Sequence, residues 1–231
     1  MTLKKIGIIT LCLLLGGCVD RMNGDDSIGI DTDKHEAYSG SADDIYKTGN
    51  RYAQGNGVAR DDKEAVQHYL QAARMGYAKA QYALGYMYRV GRGVPRDYDA
   101  SAIWFQRAAD QGNADAENSL GVRYLLGQGT PQDYAQALTW FQKAAEQGNP
   151  YAQNELGYMY AAGKGVTQNY AQALQWYQKA ANHNLPSAQY NLGLMYANGM
   201  GTTVNHTIAH QWFQKAAAHG FLPARRALAQ S

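Results

Sequence analysis

At an offset of 36 residues the sequence repeats itself. Trp104 falls on Trp140, Trp176 and Trp212, and these are all the tryptophans in the chain. Gly85 falls on Gly121, Gly157 and Gly193. The pair Gly91/Gly93 falls on Gly127/Gly129, Gly163/Gly165 and Gly199/Gly201, and Ala108-Ala109 on Ala144-Ala145, Ala180-Ala181 and Ala216-Ala217. A register of this period is the signature of a stacked-helix array.

Within the unit 78–113, Ala80, Leu84, Met87 and Tyr88 form an i, i+4, i+7, i+8 stripe, one face of an amphipathic helix. Gly91-x-Gly93 ends that helix, with Pro95 and Asp97 suited to the start of a second. The second helix carries Tyr98, Ser101/Ala102, Trp104/Phe105 and Ala108/Ala109, and Gly112-Asn113 closes it. Helices of about 13 residues are marginal alone in water. Stacked hairpins bury what one cannot, with Gly85 and the alanine pairs allowing close approach and the four tryptophans filling the core. The predicted fold is all-α: a right-handed α-solenoid of five 36-residue hairpins with a C-terminal capping helix.

The pattern A-x-A-x-x-x-L-G-x-x-Y-x-x-G-x-G-V, then D-Y-x-x-A-x-x-W-F/Y-Q-K-A-A-x-x-G, resembles the Sel-one-like repeats, relatives of the tetratricopeptide repeats. The resemblance spans units 42–77, 78–113, 114–149, 150–185 and 186–221. It implies a protein-binding scaffold, often exported in bacteria; some members are immunity lipoproteins against type VI secreted lipases. The chain departs from the pattern at Thr48, Arg51 and His68 in the first unit, at Asn184, and at Val204-Asn205-His206. Polar substitutions in the first unit suit a solvent-facing cap. Leu222–Ser231 reads as the opposite cap, packing through Ala224, Ala227 and Leu228 with Arg225 and Arg226 in water.

Ahead of the repeats, Lys4 and Lys5 precede the apolar run 6–15, too short to span a bilayer, as in a secretory signal. Leu15-Gly16-Gly17-Cys18 resembles the bacterial lipoprotein box, which implies cleavage before Cys18 and acylation of its thiol and amine. Several acyl chains together anchor stably. Val19 after the cysteine, in place of an inner-membrane retention Asp, implies the outer membrane, facing the periplasm. Residues 18–41 are rich in acidic residues and lack helical period, so they read as a disordered tether with a reach of roughly 25–30 Å. With Cys12 in the signal and Cys18 acylated, the mature domain has no thiol for a disulfide.

Formal charge is +2 over 1–17, −4 over 18–41 and +4 over 42–231. That last value is too small and scattered for a nucleic-acid binder. No serine lies in a nucleophile elbow, and the G-x-G pairs recur with the hairpin as turn glycines. His206 and His210 sit four apart without a third ligand, and His183 and His219 fall near helix ends. No catalytic residue, cofactor, metal or small-molecule substrate is expected, and the chain reads as a non-enzyme.

On a helical wheel, positions 79, 82, 86 and 89 lie opposite the core stripe. Across units they read Lys79, Tyr82, Tyr86, Arg89; Asp115, Asn118, Val122, Leu125; Tyr151, Asn154, Tyr158, Ala161; and Ser187, Tyr190, Leu194, Ala197. In tetratricopeptide arrays this face lines the concave surface, and Tyr and Asn suit capture of a protein or extended peptide. The leading expectation is therefore a lipid-anchored periplasmic binding scaffold. An immunity lipoprotein against a secreted phospholipase or lipase is the alternative, and a cell-wall or β-lactam hydrolase the remote one.

Overall fold

A computed structural model describes residues 40–229. The signal, Cys18 and the tether lie outside the described residues. Two compact units divide the chain, one ending at Gln132 and the other running on from Asp133. The first holds α1 (Ala42–Gln54), α2 (Asp62–Arg74), α3 (Ala78–Val90), α4 (Tyr98–Ala109) and α5 (Ala114–Leu126). The second holds α6 (Tyr134–Glu146), α7 (Pro150–Ala162), α8 (Tyr170–Asn182), α9 (Pro186–Asn198), α10 (His206–Ala218) and α11 (Leu222–Leu228). All regular structure among the described residues is helical, as an α-solenoid requires.

The corner between the two helices of a hairpin is fixed at both ends. Gly91 takes φ 72° and donates its N–H to the Met87 carbonyl, closing α3 with a left-handed cap that glycine adopts without strain. Nine residues beyond Tyr88, the Asp97 N–H donates back to the Tyr88 carbonyl (2.9 Å), and the same clasp recurs from Asn169 to Tyr160 and from Asn205 to Tyr196. The second glycine of each pair lies against an earlier helix: a Cβ on Gly165 would stand 2.6 Å from the Tyr134 carbonyl oxygen, and one on Gly201 would strike the Tyr170 backbone.

Asp97 is the N-cap of α4, its carboxylate accepting from the Asp99 and Ala100 N–H groups. Asp61 and Asp133 cap α2 and α6 in the same way, and Asn169 and Asn205 cap α8 and α10 by accepting from a single N–H each, that of Gln172 and of Ile208. Asn205 thus preserves the cap in the unit that carries Val204-Asn205-His206 at this corner. Pro95 lies in the exposed corner two residues before the cap, not in the first turn of α4. Asn113 likewise opens the next helix instead of closing α4, its Oδ1 accepting from Ala116 N–H as the N-cap of α5. Replacing Asp97 by Ala is expected to cost about 1 kcal/mol in urea unfolding, and Asp97→Asn only a few tenths.

The core corrects the expectation for tryptophan. All four tryptophans are half-buried, whereas the next residue in each unit is buried: Phe105, Phe141, Tyr177 and Phe213 are 0–6% exposed. Gly85, Gly157 and Gly193 are the reason. A Cβ on any of them would lie 2.6–2.7 Å from the ring of Phe105, Tyr177 or Phe213 respectively, so these rings press on bare backbone of the first helix. Each indole instead lies under a cation one turn further along its own helix. Arg107 covers Trp104 at 4.6 Å, Lys143 covers Trp140 at 4.3 Å, and Lys179 and Lys215 cover Trp176 and Trp212 at 4.0 Å.

The first unit's degenerate positions also divide. Arg51 is exposed, but His68 is buried and stacks on Tyr52 at 5.5 Å, so it packs rather than facing solvent. Burial pushes its pKa down. Asn184 takes φ 59° where the other units have glycine, a conformation asparagine tolerates. At the far end Ala224 is fully buried and Arg225 and Arg226 are exposed, as expected of a cap.

Candidate partner-binding face

The wheel places the side chains opposite the core stripe in one outward row, and the structure separates them. In the first unit Lys79 and Asp115 are exposed, while Tyr82, Tyr86, Arg89, Asn118 and Val122 are half-buried. Tyr82 leans on Phe105 with ring centroids 5.7 Å apart, and the Arg89 guanidinium lies over the Tyr86 ring at 5.1 Å. Leu125 is only 3% exposed. In the second unit Tyr151, Tyr158 and Ala197 are half-buried, but Asn154, Ala161, Ser187, Tyr190 and Leu194 are all buried.

Tyr190 shows why the wheel fails there. Its ring sits 5.5 Å from Phe213 and 5.4 Å from Phe221, in a cluster with Leu194, Ala209, Ala216 and Ala224. Those two rings convert its position from surface to core. The side chains of the row that stay exposed or half-buried are Lys79, Tyr82, Tyr86, Arg89, Asp115, Asn118 and Val122 in the first compact unit and Tyr151, Tyr158 and Ala197 in the second.

Beside Tyr158 the structure reveals a residue the wheel passed over. Glu155 is 6% exposed, and Asn154 Nδ2 donates to its Oε1 at 3.3 Å. Asn191 Nδ2 in turn donates to Asn154 Oδ1 at 3.1 Å, linking α9 to α7. Glu155 Oε2 and Asn191 Oδ1 are buried and make no hydrogen bond. Burial pushes the Glu155 carboxyl up to about 7, against the smaller lowering pull of the Asn154 hydrogen bond. The sequence did carry a trace: a carboxylate stands at 155 where the adjoining units have Ser119 and Asn191.

A second polar position serves structure. Gln81 Nε2 donates to the Ala73 carbonyl at 3.1 Å and Gln153 Nε2 to the Ala145 carbonyl at 3.3 Å, each tying a first helix to the end of the helix before it. Gln111 Nε2 then closes on Gln81 Oε1 at 2.7 Å. At the corresponding place in the second unit a shallow cavity of about 360 Å³ opens between Gln189, Trp212, Lys215 and His219. His206 and His210 are both exposed, and the described residues hold no group of three side chains able to ligate a metal. No helix among them is long and apolar enough to cross a membrane.

Two-helix modules closed by glycine corners, with partly open tyrosines on their first helices, define a helical-repeat scaffold. The Sel1 repeat model matches residues 42–77, 78–113, 114–149, 150–185 and 186–221, and the chain belongs to the Sel1 repeat family. Among solved structures it is similar to c5321, a protective antigen present in uropathogenic Escherichia coli strains displaying an SLR fold. Identity is 41% and the TM-score 0.74 over 81% of this chain, which spans 40% of that protein's length. A Sel1 repeat protein from Oxalobacter formigenes is 33% identical with a TM-score of 0.77, over 81% of this chain and 75% of that one. The immunity protein Pa5087 from Pseudomonas aeruginosa is 25% identical with a TM-score of 0.55, over 79% and 67% of the two chains. No curated protein matches the sequence.

Proposed function

We propose that this protein is a non-enzymatic scaffold, anchored through an acylated Cys18 in the outer membrane and facing the periplasm, that binds a protein or extended peptide through the first-helix face of its repeats. The observation that carries the binding role is the row of half-buried aromatic side chains left on that face, Tyr86 under Arg89 in one unit and Tyr151 and Tyr158 in the other. Tyrosines held half-open offer contact area at low entropic cost. The anchor rests on the Leu15-Gly16-Gly17-Cys18 sequence and the basic and apolar residues before it.

The test compares wild type with Tyr86→Ala/Tyr158→Ala after crosslinking in intact envelopes. Wild type captures a partner that the double variant loses at unchanged helicity. Equal capture by both would place binding elsewhere. Labelled palmitate is incorporated by wild type and not by Cys18→Ser, and incorporation by both would remove the anchor.

A second reading, an immunity role, is favoured by the likeness to the immunity protein Pa5087; on the family resemblance its partner is a toxic lipase, which the tethered scaffold occludes at the membrane. Co-expression then protects cells from a periplasm-directed lipase encoded beside this gene. Killing that proceeds regardless would leave the general scaffold alone.

A further inference from the structure

Building on the first-helix face as the binding face, we propose that Asn154, Glu155 and Asn191 form an acceptor notch that receives an arginine side chain of the partner. Two oxygens in this chain of hydrogen bonds have no donor. Asn154 commits its carbonyl to Asn191 and its amide to Glu155, so that once Glu155 is ionised its Oε2 and Asn191 Oδ1, on side chains more than nine-tenths buried, have nothing to accept from. What fits is a group made of donors.

The surrounding elements supply no positive charge of their own. Glu155 is the only ionisable acid or base on α7 apart from tyrosines, and α9 carries no Asp, Glu, Lys, Arg or His. On α6, Lys143 and Glu146 are exposed and Lys143 covers Trp140; on α8, the exposed Lys179 covers Trp176. An ionised carboxylate so placed needs a counter-charge. The row also has aromatic flanks, since Tyr151, Asn154/Glu155 and Tyr158 follow one another at i, i+3/i+4 and i+7 on one face of α7.

Carboxylate and amide oxygens between tyrosines suit a guanidinium better than an ammonium. A guanidinium presents paired donors in a planar fork, and its faces stack on aromatic rings. Both oxygens are shielded in the unliganded fold, so the arginine enters as the flanking side chains change rotamer.

The experiment follows the Glu155 side-chain carboxyl by carbon-13 NMR against pH, with N-acetyl-arginine amide or its neutral isostere N-acetyl-citrulline amide as the probe. With the arginine probe the Glu155 midpoint falls by half a unit or more, and with citrulline it stays. Glu155→Gln, and Glu155→Asn as a second variant, lose the chemical-shift response of Asn154 and Asn191 to arginine at unchanged helicity. Identical responses to the two probes, or a response that survives in either variant, would overturn the notch. The envelope crosslinking separates this from the broader reading. If wild type and Glu155→Gln capture the same partner equally, the notch falls and the scaffold stands. If wild type captures nothing, the scaffold falls while the probe titration still decides the notch.

Discussion

Phe105→Ala is expected to lower the unfolding free energy by about 3–5 kcal/mol, whereas Trp104→Ala costs about 1–2 kcal/mol. The larger ring gives the smaller effect because it is half-buried and its outer face is covered by Arg107, while Phe105 is 2% exposed and pressed onto the Gly85 backbone. Urea unfolding followed by circular dichroism ranks the two directly. A greater loss from Trp104→Ala would contradict this packing. Gly85→Ala should also destabilise, because its new methyl would meet the Phe105 ring at 2.7 Å. The pair is therefore expected to be non-additive: Gly85→Ala costs less in a Phe105→Leu background than alone.

Stability should also fall as pH rises from about 4.5 to about 7, and Glu155 should be the cause. Its carboxyl titrates near 7 in the folded protein against 4.5 for the reference side chain, because burial disfavours the charged form. The folded state thus holds this proton more tightly than the unfolded chain. The stability it supports is complete below about pH 4.5 and declines until the folded-state group has ionised above 7. At ~1.4 kcal/mol per unit, the loss approaches ~3 kcal/mol. Urea unfolding of wild type and Glu155→Gln between pH 4.5 and 8.5 isolates the effect, with the variant gaining on wild type by that amount at the alkaline end. Curves that stay parallel across the range would show that Glu155 is not held neutral by its surroundings.

The fold was legible because its signals repeat. Asp97 and its counterparts announce a helix start, Gly91 and its counterparts a stop, and the period sets the pairing of helices. What single positions do inside the unit was harder to read. Trp104 and Phe105 are adjacent and equally apolar, and only the approach of Gly85 from another helix decides which goes inside. Tyr190 satisfies the same wheel as Tyr86, yet Phe213 and Phe221 close over it. Glu155 was missed for the opposite reason. A wheel treats a carboxylate as a surface residue, and no local pattern says that this one will be buried beside Asn154.

The glycine corners bear on how such a chain changes length. The corners at Gly91/Gly93, Gly163/Gly165 and Gly199/Gly201 are clasped from cap to tyrosine carbonyl across nine residues, and in each the second glycine rests on the opening turn of an earlier helix. An extra residue there would break both attachments together, so single-codon slippage in a corner is not tolerated. Duplication or deletion of a complete 36-residue cassette leaves every clasp intact. Descent in this lineage should therefore proceed in whole cassettes, with point changes confined to the faces between the corners.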